Sequence, residues 1–368
     1  MPEDLIGTSV LRDLLRSLVV SAPPGGRPVR FPSPSPDYGQ ALERSARNLL
    51  QRQAGLDRER AEAPALIERL LQHGPERQGL LVRNDRRFLT WGVLEKLLGW
   101  SRRTILASHR EAERLAALAL AQSEHMDEEY YGASRIEDLR ARAWSCIGEA
   151  RRLRADLSGA DAAFAQAHAH LRAGTRDALE RAVVLDFESS LRRCQGRLDE
   201  ARRLLRRALE VFVDNGEVPR AGVSLVHLAA VHLAAGRPER AVPLVREALR
   251  RIGGTHEPRR LLYAQHHLIQ SLLAAGRLME ARGLLIKSRP LYRQFPDTWT
   301  QSHLRWLRGK VAAGFGQLGE AETELRAARE GFLALESLLA ASQVAQDLAA
   351  LEGCHEAAGS TLLPAPCP

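Results

Sequence analysis

From about Arg135 to Gly353 the apolar residues recur three and four apart, the spacing of one face of an α-helix. These helical segments come in pairs, and the pairs repeat. A short turn motif marks each repeat: Gly, then Arg or Gln, three variable residues, then Ala. It reads Gly196-Arg197-Leu198-Asp199-Glu200-Ala201, and it recurs at Gly236–Ala241, Gly276–Ala281 and Gly316–Ala321. Successive glycines are forty residues apart, and so are successive alanines. A fifth copy upstream has Ala160 in the alanine slot and Ala155 in the glycine slot. Gly at this point supplies the left-handed conformation that closes a helix. Pro219 and Pro258 stand where a following helix should begin, a position Pro favours. A period of this length predicts an all-α solenoid of antiparallel helix pairs, with an A helix before each motif and a B helix after it.

The flanks are less regular. Val10 to Val19 forms a short amphipathic segment within residues 1–20, and residues 21–37 are rich in Pro, Gly and Ser and read as a linker. Residues 38–130 carry helical pattern at roughly 39–54, 57–72, 87–99 and 107–124. The last of these, with Ala112, Ala116 and Ala119, reads as the B helix of a degenerate repeat. The clear array covers 131–353. Leu338 to Glu352 looks like a final A helix without a B partner. Residues 354–368 show no helical period and are expected to be a disordered tail.

Composition agrees with this picture. The 368 residues are 45% hydrophobic but only 5% aromatic, and Ala and Leu dominate, as helical proteins require. No apolar run is long enough to span a membrane, and the acidic start Met1-Pro2-Glu3-Asp4 lacks a signal peptide's basic flank, so a cytoplasmic protein is expected. Cys146, Cys194, Cys354 and Cys367 show neither CxxC nor zinc spacing. Neighbouring histidines such as His266 and His267 do not share a helix face, so no metal site is expected. The net charge of +8 would ordinarily point to nucleic acid. Here only Lys96, Lys287 and Lys310 are lysines; the excess of arginine fits a GC-rich coding sequence. Many arginines also stand at helical spacing from carboxylates, for example Asp199 with Arg203 and Glu247 with Arg251. Nucleic acid is therefore not the expected partner.

The pairs resemble tetratricopeptide repeats. Around the upstream copy, Trp144, Ile147, Gly148, Ala160, Phe164 and Ala167 match the family's Trp, Leu, Gly, Ala, Phe and Ala in type and spacing. Later copies keep the B-helix pattern in Ala201/Leu205/Ala208, Ala241/Val245/Ala248, Ala281/Leu285/Ser288 and Ala321/Leu325/Ala328. The A helices are looser, with Ser189, Ala229, Ile269 and Gly309 in the Gly slot. The period exceeds the family's roughly 34 residues, and the surplus is expected in the B-to-A connections. The resemblance implies a right-handed solenoid whose A helices line a concave groove that binds peptide segments. It places Arg142, Ser145, Glu149 and Arg152 of the first repeat in that groove, then Asp186, Ser190 and Arg193. Val226 and Ala230 follow from the third repeat, Tyr263, His266 and Gln270 from the fourth, and His303, Trp306 and Lys310 from the fifth. Such a surface suits a protein or peptide carrying acidic and apolar groups, in bacterial signalling or regulation. The Lys/Asn pair with which some relatives grip a terminal carboxylate is missing.

One motif points to another class. Leu94 to Ile105 resembles a helix-turn-helix of a DNA-binding transcriptional regulator, with Gly99 at the turn and Ser101, Arg102, Arg103 and Thr104 opening a recognition helix. Glu95 departs from that motif. In that reading the array would be a sensor or oligomerisation domain. No GxSxG, P-loop or GxGxxG after a strand is present, so neither an enzyme nor a cofactor is expected.

Overall fold

The computed structural model describes residues 36–253 and 257–360, with side chains within 40–253 and 257–353. The amphipathic segment at 10–19 lies outside the described residues, as do residues 21–35 of the linker expected at 21–37 and residues 361–368 of the tail expected at 354–368, whereas residues 36–37 and 354–360 are helical. The chain divides into two compact units, Met1–Gly55 and Leu56–Pro368, and the array lies in the second.

Every regular element among the described residues is helical. Four longer helices come first: α1 (Pro36–Leu71), α2 (Pro75–Asn84), α3 (Trp91–Thr104) and α4 (His109–Ser123). A single turn, α5 (Glu128–Tyr131), follows. A and B helices then alternate as α6 (Ala133–Leu153) and α7 (Leu157–Ala173), α8 (Ala178–Cys194) and α9 (Leu198–Asp214), and α10 (Val218–Ala234) and α11 (Pro238–Gly253). The array continues as α12 (Pro258–Ala274) and α13 (Leu278–Arg293), α14 (Thr298–Gly314) and α15 (Leu318–Ala334), and ends on the A helix α16 (Leu338–Ser360).

The turn motif does what its residues require. Gly196, Gly236, Gly276 and Gly316 have φ of 75°, 65°, 71° and 73°. Ala155, in the glycine slot of the upstream copy, has φ of 66°. At all five turns the amide after this residue donates back across the helix end. Asp156 N reaches Arg151 O at 3.0 Å and Arg197 N reaches Arg192 O at 2.8 Å; the bonds at 237, 277 and 317 are each 2.9 Å. This is the six-to-one bond of a Schellman end. Pro219 and Pro258 stand in the first turn of α10 and α12 as expected.

The surplus over the shorter family repeat does not lie in the B-to-A connections. α8, α9 and α10 are each 17 residues long, and only residues 195–197 and 215–217 separate them. The extra residues lengthen the helices and therefore deepen the layer of A helices. One ion pair also differs: Asp199 meets Arg202 at 2.7 Å, not Arg203, because three residues bring the two side chains over one another here. Glu247 meets Arg251 at 2.8 Å as expected.

Small residues at the A/B crossing hold each pair together. Ala160, Ala201, Ala241, Ala281 and Ala321 are all fully buried. Their partners four residues on, Phe164, Leu205, Val245, Leu285 and Leu325, are buried too, each worth about 1.5–3 kcal/mol. A Cβ on Gly148 would lie 2.9 Å from the Phe164 ring, and one on Gly309 would lie 2.7 Å from Leu325 Cγ. Close helix approach therefore requires these two glycines.

The helix-turn-helix reading fails in the structure. α3 runs unbroken through Gly99, which closes no turn. A helical Gly costs only about 1 kcal/mol, too little to break a helix whose Val93, Leu94, Leu97 and Leu98 are all buried. Ser101 is buried as well, and its Oγ donates to Ala112 O at 2.7 Å. The turn comes later, at 105–108. This segment meets the far end of the array: Arg110 Nε lies 2.5 Å from Glu336 Oε2, and the His109 ring stands edge-on to Trp299 at 5.9 Å.

Candidate functional site

The A helices line a cavity of about 570 Å³, within the range of ligand sites. The forty-residue period explains its wall. Ser190, Ala230, Gln270 and Lys310 occupy one register position on α8, α10, α12 and α14, and all four line the cavity. Glu149, Arg152 and Arg193 join them from the first two repeats, and Tyr263, His266, His303 and Trp306 from the last two. Ile105 and Leu106 contribute from the turn after α3, and Leu339, Gln343 and Asp347 from α16.

The remaining sequence-derived positions go elsewhere. Arg142 and Ser145 line a separate cavity of about 140 Å³ with Glu95, Arg102 and Glu180. There Arg142 is ion-paired to Glu180. Asp186 and Val226 line neither cavity. The reason is a second register. Ser145, Asp186, Val226, His266 and Trp306 are equivalent positions, and none is more than 8% exposed. This stripe packs between successive A helices, and its polar members bond inside the array. Asp186 accepts from Ser224 Oγ at 2.6 Å and lies 3.0 Å from His227 Nδ1. His266 Nδ1 is 3.1 Å from the Tyr292 hydroxyl. Trp306 Nε1 donates to Asp347 Oδ2 at 2.6 Å, and Lys310 Nζ meets the same carboxylate at 3.1 Å. Trp306 is thus 7% exposed, packed with Phe332 and Val344, and shows the cavity only an edge.

Sequence reasoning missed His227, His267 and Trp299. The first two stand forty residues apart, so the repeat itself carried the signal. His266, His267 and His303 sit within one network of edge-on rings, with centroids 4.9 Å apart for His266 and His303. Burial keeps all three neutral: it pushes His303 down to about 4 and His267 to about 3, and holds His266 well below its usual value. His267 Nδ1 is buried without a hydrogen-bond partner. Arg193, half-buried beside His267, has no ion-pair partner among the described residues. Arg152, by contrast, is spent on Glu149 at 2.5 Å. The cavity therefore offers neutral imidazoles and aromatic edges around one uncommitted guanidinium. Among the described residues no group of three or more His, Cys, Asp or Glu is placed to hold a metal, and no helix is long and apolar enough to cross a membrane.

Comparison with known proteins gives a local match. Residues 189–252 match the family model of the tetratricopeptide repeat. No curated protein matches the chain. Among similar solved structures is the aspartyl phosphate phosphatase F from Bacillus subtilis, at 12% identity over 93% of this chain and 87% of that one, with a TM-score of 0.47. A Rap protein complexed with Competence and Sporulation Factor is 13% identical over 71% of this chain and 97% of that one, with a TM-score of 0.44. A Podosopora anserina putative kinesin light chain is 20% identical over 55% and 96%, with a TM-score of 0.39.

Proposed function

We propose that this chain, whose repeats are of the tetratricopeptide type, is a non-enzymatic scaffold that binds a peptide segment or partner protein in its concave cavity. The cavity carries the reading. Side chains from all five repeats converge on it, and Arg193 on its wall has no ion-pair partner among the described residues. An apolar side chain of the ligand would lie among Trp299, Tyr263 and Leu339. A carboxylate would pair with Arg193. Desolvation inside the cavity strengthens such contacts relative to an open surface. We place this scaffold in bacterial signalling or regulation, a context that rests on analogy with its fold class.

The test is selection from a pooled peptide library. Ala230 is half-buried on the cavity wall, so Ala230→Trp fills the space and leaves the outer surface unchanged. Wild type should enrich peptides that pair an acidic group with an aromatic or aliphatic one, and the variant should lose them. Equal enrichment by a folded Ala230→Trp variant would reject the cavity as the site.

A further inference from the structure

A second cleft lies between α13 and α15, floored by side chains of α13 and α14. Its volume is about 630 Å³. The floor is apolar: Leu285, Leu304 and Val311 are buried beneath it. One wall is a stripe on α13 formed by Arg282, Arg289 and Arg293, spaced seven and four apart and so on one helix face.

The combination of three arginines is confined to this B helix, although the next repeat also carries an exposed arginine, Arg329, at the Arg289 position. Arg289 takes the position held by Leu209 and Leu249 in the two preceding repeats. Those leucines are half-buried and pack against the central apolar cluster. Arg289 is exposed instead. Likewise Ile286, where the earlier B helices carry Arg206 and Arg246, is an apolar residue left 48% exposed. Charge and apolarity are thus exchanged relative to the two preceding repeats, and the exchange brings both into one cleft. Arg282 lies over the Phe315 ring at 5.2 Å. Arg289 and Arg293 have neither an ion pair nor a hydrogen-bonded partner among the described residues. The carboxylates facing them are Glu320 and Glu324. Glu324 is engaged by Arg305 at 3.7 Å and Arg308 at 3.6 Å. Glu320 is exposed on the opposite wall.

We propose that this second cleft docks an amphipathic helix of a protein partner, with acidic side chains along one flank and aliphatic side chains on the face that meets the floor. The acidic flank pairs with Arg289 and Arg293, and the aliphatic face covers Ile286. A basic residue on the opposite flank meets Glu320. Such a helix supplies what each wall lacks, and its apolar face covers Ile286, the exposed aliphatic residue of the cleft. The site is separate from the concave cavity, so the scaffold would hold two partners at once.

The probe is a pooled set of Glu-flanked amphipathic helical peptides, with a Lys-flanked set of the same apolar faces, read by fluorescence anisotropy against the full chain. The Glu set should bind, and the Lys set should not. The double variant Arg289→Glu/Arg293→Glu should bind at least about tenfold more weakly. Arg289→Leu restores the residue of the earlier repeats, should fold at least as well, and should also weaken binding. Ala230→Trp should leave this binding intact, so its outcome is independent of the concave-cavity reading. No binding by the Glu set, equal binding by both sets, or unchanged affinity in both arginine variants would overturn the proposal. A concentration-dependent dimer of the chain, abolished by the charge reversal, would overturn it in favour of self-association.

Discussion

The five turns give the sharpest test of the repeat register. Gly236 has φ of 65°, and a Cβ placed on it meets nothing within 4 Å. Gly236→Ala therefore adds no clash, and its cost is that of the backbone alone. A Cβ in the left-handed region costs about 1–2 kcal/mol. The loss of unfolded-state freedom returns about 0.4–1 kcal/mol. The net expectation is a destabilisation of about 1 kcal/mol. Ala155 poses the mirror-image case. It holds φ of 66° without being Gly, and its turn has the same back-donated bond as the other four. Ala155→Gly should thus stabilise the chain by about the same amount. Urea denaturation followed by far-ultraviolet circular dichroism measures both, as opposite shifts of the midpoint at unchanged slope. If Ala155→Gly lowers the midpoint, or Gly236→Ala raises it, the equivalence of the five turns is refuted.

Other outcomes follow from packing and charge. Ala160→Leu should overpack the first helix pair and cost about 1–3 kcal/mol, seen as a lower melting temperature. Trp306→Ala should cost about 3–5 kcal/mol of folding stability, because the ring is packed against Phe332 and Val344 and its Nε1 is bonded to Asp347. A small thermal shift in that variant would contradict its placement. His267 and His303 have folded pKa values lowered to about 3 and about 4 by burial, so between pH 6.5 and 4.5 the unfolded chain binds protons that the folded chain refuses. Stability should therefore fall as pH drops through that window, by up to about 1.4 kcal/mol per pH unit for each histidine. His267→Gln should flatten the dependence, and an identical slope in the variant would show that His267 titrates normally in the folded chain.

The fold was legible because one backbone requirement, a left-handed residue at each helix end, recurs with buried alanines at the same period. Even the irregular copy could be placed, since Ala155 adopts the geometry its slot demands. Two features were hidden for physical reasons. Gly99 resembled a turn, but the buried leucines around it outweigh one glycine's helix penalty. The longer period was assigned to connections, although the sequence pattern alone cannot separate a longer helix from a longer loop at its frayed end. The candidate site was half legible. The stripe of Ser190, Ala230, Gln270 and Lys310 lines the cavity as the register implies. The stripe of Asp186, His266 and Trp306 instead packs between A helices, since neighbouring A helices touch along it. Only the three-dimensional crossing of those helices shows which polar stripe is consumed inside the array. His227 and His267 were within reach of the repeat pattern, but they lie one residue beyond the stripe that the resemblance implies.

Hydroxyl-radical footprinting of the chain, alone and with a partner captured from the native host, tests the central claim most directly. Tyr263, 36% exposed on the cavity wall, should be modified in the free chain and protected in the complex. Tyr130, 42% exposed on α5 and not among the cavity-lining residues, should be modified equally in both. Unchanged modification of Tyr263 in a fully formed complex would contradict binding in the concave cavity.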